Sequence, residues 1–168
     1  MKETYFSRDI LDFFYLLYKH RVKYLIVGGE AVIFYGNARL TGDIDFYYDL
    51  SDTNITKLFK ALKEFWNNRI PGIEEKKELS KEEMVFQFGI PPNRIDLINA
   101  IESIEFNEAW KNRLSYKIDY KKEKIVIYYI GLDDLIKNKK AVKRNKDKDD
   151  LKFLIEVKKK FDAGKKIL

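Results

Sequence analysis

Tyr24-Leu-Ile-Val-Gly-Gly-Glu-Ala31 and Arg39-Leu-Thr-Gly-Asp-Ile-Asp-Phe-Tyr-Tyr48 are the two stretches that decide the reading of this chain. In the first, a short apolar run stops at Gly28-Gly29. In the second, a strand-like run carries Asp43 and Asp45 one residue apart. Residues i and i+2 of a strand point to the same face, so both carboxylates project together while Ile44 and Phe46 turn the other way. Convergent carboxylates are hard oxygen ligands of the kind that suit Mg²⁺ in phosphoryl transfer. A glycine pair after a strand and before a helix lets backbone approach a phosphate closely, although the same pair also makes an ordinary turn. Neither the Gly-x-Gly-x-x-Gly spacing nor a Walker loop is present.

Working outward, Ser7 to His20 has apolar residues at helical spacing, with Ser7 or Asp9 as a cap. Glu30 to Tyr35 reads as a brief helix closed by Gly36-Asn37. Asn54 to Trp66 reads as a longer helix capped by Asp52 or Thr53. The charged run Glu74 to Glu83 reads as a surface loop. Strand patterns follow at Met84 to Phe88 and Arg94 to Asn99, with a turn at Gly89-Ile-Pro-Pro-Asn93 between them. Ser115 to Tyr120 and Lys124 to Ile130 flank Lys121-Lys122-Glu123 as a hairpin. Leu132 to Lys143 and Lys146 to Phe161 are two final helices. The expected fold class is α/β (α+β): a small mixed sheet flanked by helices, with a helical pair at the C-terminal end. We expect one domain over residues 1–168, with a core at about 22–130 and a helical part at about 131–168.

Composition narrows the classes further. A chain of 168 residues with 45% hydrophobic residues, 12 Phe and 11 Tyr can bury a core. It has no cysteine, which excludes disulfides and thiolate metal sites and suits a reducing compartment. No apolar run reaches membrane-span length and the start lacks a signal-peptide plan, so a cytoplasmic location with no membrane partner is expected. The net charge of +6 is concentrated: residues 137–160 hold eleven Lys/Arg against four Asp/Glu. That is either a solvated helix pair or a basic face that receives phosphates or RNA.

Asp96 sits in Arg94-Ile-Asp-Leu-Ile98, a strand that is otherwise mostly apolar. It belongs either to a structural ion pair or to a site. If this strand lies beside that of Asp43 and Asp45, three carboxylates converge and call for cationic compensation. His20, the only histidine, is expected to serve a helix end. Trp66 and Trp110 are expected to pack, and Tyr47-Tyr48 and Tyr128-Tyr129 are read as exposed pairs, available to an interface or to edge packing.

The glycine pair, the element Arg39-x-Thr41-x-Asp43-Ile-Asp45 and the strand Asp96 together resemble the nucleotidyltransferase superfamily, the polymerase-beta-like group. Within it, the chain is most similar to AbiEii-type toxin nucleotidyltransferases and their single-domain relatives. Ile90-Pro-Pro-Asn-Arg-Ile-Asp-Leu97, Phe106-x-x-Ala-Trp110 and Asp134-Leu-Ile-x-x-Lys139-x-Ala141-x-x-Arg144-x-Lys146-Asp147-x-x-Asp150-Leu151 extend the resemblance over about residues 24 to 154. Relatives often carry His-Gly where this chain has Tyr35-Gly36.

The resemblance implies transfer of a nucleoside monophosphate from an NTP to a hydroxyl, with Mg²⁺ or Mn²⁺ held by Asp43, Asp45 and Asp96. It implies that Gly28, Gly29, Arg39, Thr41 and Arg144 contact the nucleotide. Lys139 and Asp150 would belong to the catalytic group, or else Asp147 and Asp150 would brace Lys139 and Arg144 or cap the last helix. The acceptor would be RNA, tRNA or protein, and a cognate antitoxin would be a partner. A catalytically silent binding module and a small-molecule nucleotidyltransferase are the alternatives.

Overall fold

The computed structural model describes residues 5–164. Its centre is a six-stranded mixed sheet with spatial order β3-β4-β2-β1-β6-β5. The strands are β1 (Tyr24–Val27), β2 (Asp43–Tyr48), β3 (Val85–Phe88), β4 (Arg94–Ile98), β5 (Leu114–Tyr120) and β6 (Glu123–Tyr129). β1 pairs antiparallel with β2, and β2 pairs parallel with β4, with Asp43 opposite Arg94 and Asp45 opposite Asp96. β3 closes one edge antiparallel to β4, and the β5–β6 hairpin closes the other.

Six helices surround the sheet: α1 (Arg8–Lys19), α2 (Gly28–Phe34), α3 (Asp52–Phe65), α4 (Phe106–Lys111), α5 (Leu132–Ala141) and α6 (Asn145–Asp162). α1 and α3 cover one face of the sheet. Phe13 and Phe14 of α1 meet Phe46 of β2 at ring-centroid distances of 5.1 and 5.7 Å, and Phe13 also meets Phe65 and Trp66. Trp66 in turn lies against Phe88 of β3. Both tryptophans are packing residues, as expected: Trp110 stacks on Phe106 and faces Tyr128. His20 caps the C-terminal end of α1 and bonds Glu64 at 2.6 Å.

Local chemistry shifts several boundaries from the sequence reading. α2 begins at Gly28, so the glycine pair forms its first turn and does not precede it. Ser51, not Asp52 or Thr53, caps α3, its hydroxyl accepting from the Asn54 N–H. The run expected to be a plain loop contains a 3₁₀ turn at Lys76–Ser80, because Glu75 and Glu78 form a reciprocal capping box and Leu79 inserts into the core. The hairpin turns on Lys121-Lys122 alone, both at positive φ, and Lys121 is tied to Asp12 at 2.8 Å. Tyr47, Tyr48 and Tyr129 are buried, contrary to the reading of exposed pairs, because β2 and β6 are interior strands. Among the described residues no helix is long and apolar enough to cross a membrane.

Phe46 is fully buried and touches Phe13, Phe14 and Tyr24 on the face opposite the aspartates. Phe46→Ala should cost about 3–5 kcal/mol of unfolding free energy in urea titration, through lost burial plus a residual cavity.

Candidate functional site

Register builds the site. Because Asp45 of β2 lies opposite Asp96 of β4, the two side chains share one face, and Asp43 joins them two residues earlier. Oxygens of all three carboxylates lie within 4.8 Å of one another. Gln87, opposite Asp96 on β3, reaches the same cluster and donates to Asp96 Oδ2 at 3.3 Å. The conditional expectation of converging carboxylates is thus met by the parallel β2–β4 pairing.

Asp45 is perturbed by its surroundings. Burial, reinforced by the charges of Asp43 and Asp96, pushes its carboxyl up to about 7, against the opposing pull of Arg94. The donor set is entirely carboxylate oxygen, and the crowding that raises Asp45 is what a divalent cation among the three groups would relieve. The residues therefore fit a hard metal ion.

The glycine pair abuts this cluster. Gly28 has φ +65°, and a Cβ there would stand 2.2 Å from Asp45 Oδ2, so only glycine satisfies both the backbone and the close approach. A Cβ on Gly29 would come within 3.0 Å of both Arg39 Nη2 and Thr41 Oγ1. Thr41 donates its hydroxyl to the carbonyl and to Oδ1 of its neighbour Asp43, each at 3.2 Å. Gly28 and Thr41 thus adjoin Asp45 and Asp43, and Gly29 lies against Thr41 and Arg39.

Lys139, Arg144, Asp147 and Asp150 form a second cluster. Lys139 is buried, and its ammonium bonds Asp147 Oδ1 at 2.6 Å and Asp150 Oδ2 at 3.1 Å. Arg144 Nε bonds Asp147 Oδ2 at 2.8 Å. Burial alone would raise the Asp147 carboxyl, but bonds from Lys139 and Arg144 outweigh it and hold it below the usual range. Arg39 pairs with Asp150 and also lies against Gly29, so it links the two clusters. Lys139 makes no ion pair with Asp43, Asp45 or Asp96 among the described residues.

One residue of the acidic cluster escaped the sequence reading. Arg94 lies inside the acidic cluster, with Nη2 at 2.6 Å from Asp43 Oδ2 and Nε at 2.9 Å from Asp96 Oδ1. Its signal was available: it precedes Asp96 by two residues on the same strand and must share its face. Glu30, adjacent to the glycines, turns inward, where Oε2 accepts from the Tyr5 hydroxyl at 3.3 Å and Oε1 has no partner among the described residues. Burial pushes its carboxyl up to about 7. An open cavity of about 610 Å³ lies off the other ends of β2 and β4, lined by Tyr47, Asp49, Asn99, Ile104 and Glu105 among others, and none of the three aspartates borders it.

Glu30 and the Lys139 cluster, both buried, give two expectations. A folded-state value for Glu30 above its unfolded value of about 4.5 means that the folded chain holds a proton the unfolded chain has lost. Stability should therefore fall as pH rises from about 4.5 through 7. Glu30→Gln should stabilise the protein by on the order of 2–3 kcal/mol at pH 8, with the gain vanishing near pH 4.5, as read by urea denaturation at each pH. Lys139→Ala leaves two buried carboxylates with weaker compensation and should cost about 3 kcal/mol in the same assay.

No curated protein matches this chain significantly. A family model described as a nucleotidyltransferase of unknown function (DUF6036) matches residues 11–162, nearly the whole chain and all six strands. With a match of that extent, the chain belongs to this nucleotidyltransferase family.

Proposed function

We propose that this protein is a metal-dependent nucleotidyltransferase that moves a nucleoside monophosphate from an NTP to a hydroxyl acceptor and releases pyrophosphate. The observation that carries the reading is the convergence of Asp43, Asp45 and Asp96 directly against Gly28. Membership of the family supports the reaction class.

In this reading Asp43 and Asp45 hold Mg²⁺ or Mn²⁺ together with Asp96. The bound ions supply charge neutralisation for the attacking and leaving oxygens of an in-line displacement. Asp96, nearly buried and held by Gln87, is placed to orient the acceptor hydroxyl and take its proton. Gly28 and Gly29 present backbone, free of side chain, to the triphosphate. Thr41 fixes the Asp43 carboxylate from one side. Lys139 and Asp150 act through Arg39: the carboxylate anchors the guanidinium beside Gly29, and the ammonium holds that carboxylate in place. Arg144 is largely exposed and free to meet an incoming phosphate with its unused donors.

We assign the acceptor to the RNA class, tRNA included, ahead of protein. Lys143, Arg144, Lys146, Lys148 and Lys152 are exposed along the α5–α6 junction and the start of α6. That ridge adjoins Asp150, which bonds Arg39 at the edge of the site. Phosphate contacts of this kind supply sequence-independent affinity for nucleic acid. A role as the toxin of a toxin–antitoxin pair, near the AbiEii-type enzymes, is the biological setting we propose, with a cognate antitoxin as partner.

The purified protein should transfer label from an α-³²P NTP to RNA in the presence of Mg²⁺ or Mn²⁺, seen as a labelled band on a gel. Label on protein instead would redirect the acceptor assignment. Asp43→Asn with Asp45→Asn should abolish the band and Mg²⁺-dependent NTP binding by calorimetry, while leaving the thermal midpoint at or above that of the wild type. Unchanged nucleotide binding in that variant would sink the metal-site assignment.

A further inference from the structure

Arg94 occupies the acidic cluster in a way that bears directly on metal entry. Its guanidinium spans two strands. Nη2 bonds Asp43 Oδ2 at 2.6 Å and Asp96 Oδ2 at 3.1 Å, and Nε bonds Asp96 Oδ1 at 2.9 Å. The remaining oxygen of Asp43, Oδ1, accepts from Thr41. Every carboxylate oxygen of Asp43 and Asp96 is therefore engaged, and three of those four by this one side chain. Among the described residues no other cation forms an ion pair with the triad. The other basic groups nearby, Arg39 and Lys139, are committed to Asp150 and Asp147.

The charge arithmetic is plain. Three carboxylates packed this closely repel one another, and one planar fork compensates two of them, leaving Asp45 with no ion-pair partner among the described residues. A divalent cation shared by Asp43 and Asp96 needs the oxygens that Arg94 holds, so the two compete for the same lone pairs. The arginine has a way out: its side chain is 28% exposed, and it starts β4 directly after the Gly89–Asn93 turn. An incoming triphosphate would offer the displaced guanidinium a bidentate anion in exchange.

We propose that Arg94 is a resident counter-ion of the nucleotide-free site: it holds Asp43 and Asp96 in the positions a divalent cation needs, resists that cation when it comes alone, and yields when a triphosphate comes with it. Arg94 is thus a positioning residue that couples metal and nucleotide binding. The inference rests on the reading of the triad as a metal site.

The test is Mn²⁺ binding in the absence of nucleotide, followed by paramagnetic resonance of the free ion, for the wild type, Arg94→Gln, Arg94→Lys and the Asp43→Asn/Asp45→Asn variant. Arg94→Gln should bind Mn²⁺ about tenfold more tightly than the wild type, or better. Arg94→Lys, which keeps the charge and loses the fork, should fall between them. Without metal Arg94→Gln should melt below the wild type, and Mn²⁺ should raise its midpoint by more than it raises that of the wild type. If Arg94→Gln does not fold, the lysine variant decides by the same ordering. Equal or weaker Mn²⁺ affinity in the arginine variants, with binding still abolished by Asp43→Asn/Asp45→Asn, overturns the inference and leaves the metal site standing. Mn²⁺ binding that is absent from every protein, or indifferent to the aspartate variant, overturns both.

Discussion

Repulsion among three carboxylates governs the open face of this sheet. The parallel pairing of β2 with β4 sets Asp45 opposite Asp96 and leaves no room for the charges to separate. Each nearby feature answers to that constraint. Gly28 gives up its side chain so that Asp45 can sit against the backbone. Thr41 and Gln87 donate to the flanking carboxylates, and Arg94 spans two of them. The opposite face carries Phe46 and its aromatic neighbours, and supplies the rigidity that keeps the acidic groups in register against their own repulsion.

The second ionic cluster follows a different logic. Lys139, Asp147 and Asp150 are all nearly inaccessible, and their opposite charges are matched by short bonds. Removal of one partner from such a group is costly, whereas the intact group contributes little net stability. Its value here is placement. It fixes the α5–α6 pair to the loop before β2 through Arg39, and it does so at the very loop that carries Thr41. A signature spread over residues 134 to 151 thereby reaches a site built from residues 28 to 96.

Much of this was legible in the sequence, for identifiable reasons. The period of two on a strand puts Asp43 and Asp45 on one face whatever the rest of the fold does, and β1, β2 and β4 are short apolar runs with clear stops. What stayed hidden was decided by neighbours far away in the chain. Nothing local says that Tyr47, Tyr48 and Tyr129 are interior, because that depends on the order of strands in the sheet. Nothing local says that Asp147 and Asp150 share one lysine, since that follows from how α5 packs on α6. The choice between ligand and brace for such residues rests on partners that only the folded chain supplies. Arg94 is the exception: the same face rule that selected the aspartates selects it too, once the strand is read for its cation as well as for its acid.

The β2–β4 pairing also bears on how this protein comes into being. Its two strands lie about fifty residues apart in sequence, with α3 and β3 between them, so they join only after a long loop has closed. A slip of one residue would send Asp96 to the aromatic face and bring a leucine or an isoleucine beside Asp45. No segment ending before β4 can therefore hold the acidic cluster. A nascent chain shorter than about a hundred residues thus lacks both the third carboxylate and the arginine that neutralises it.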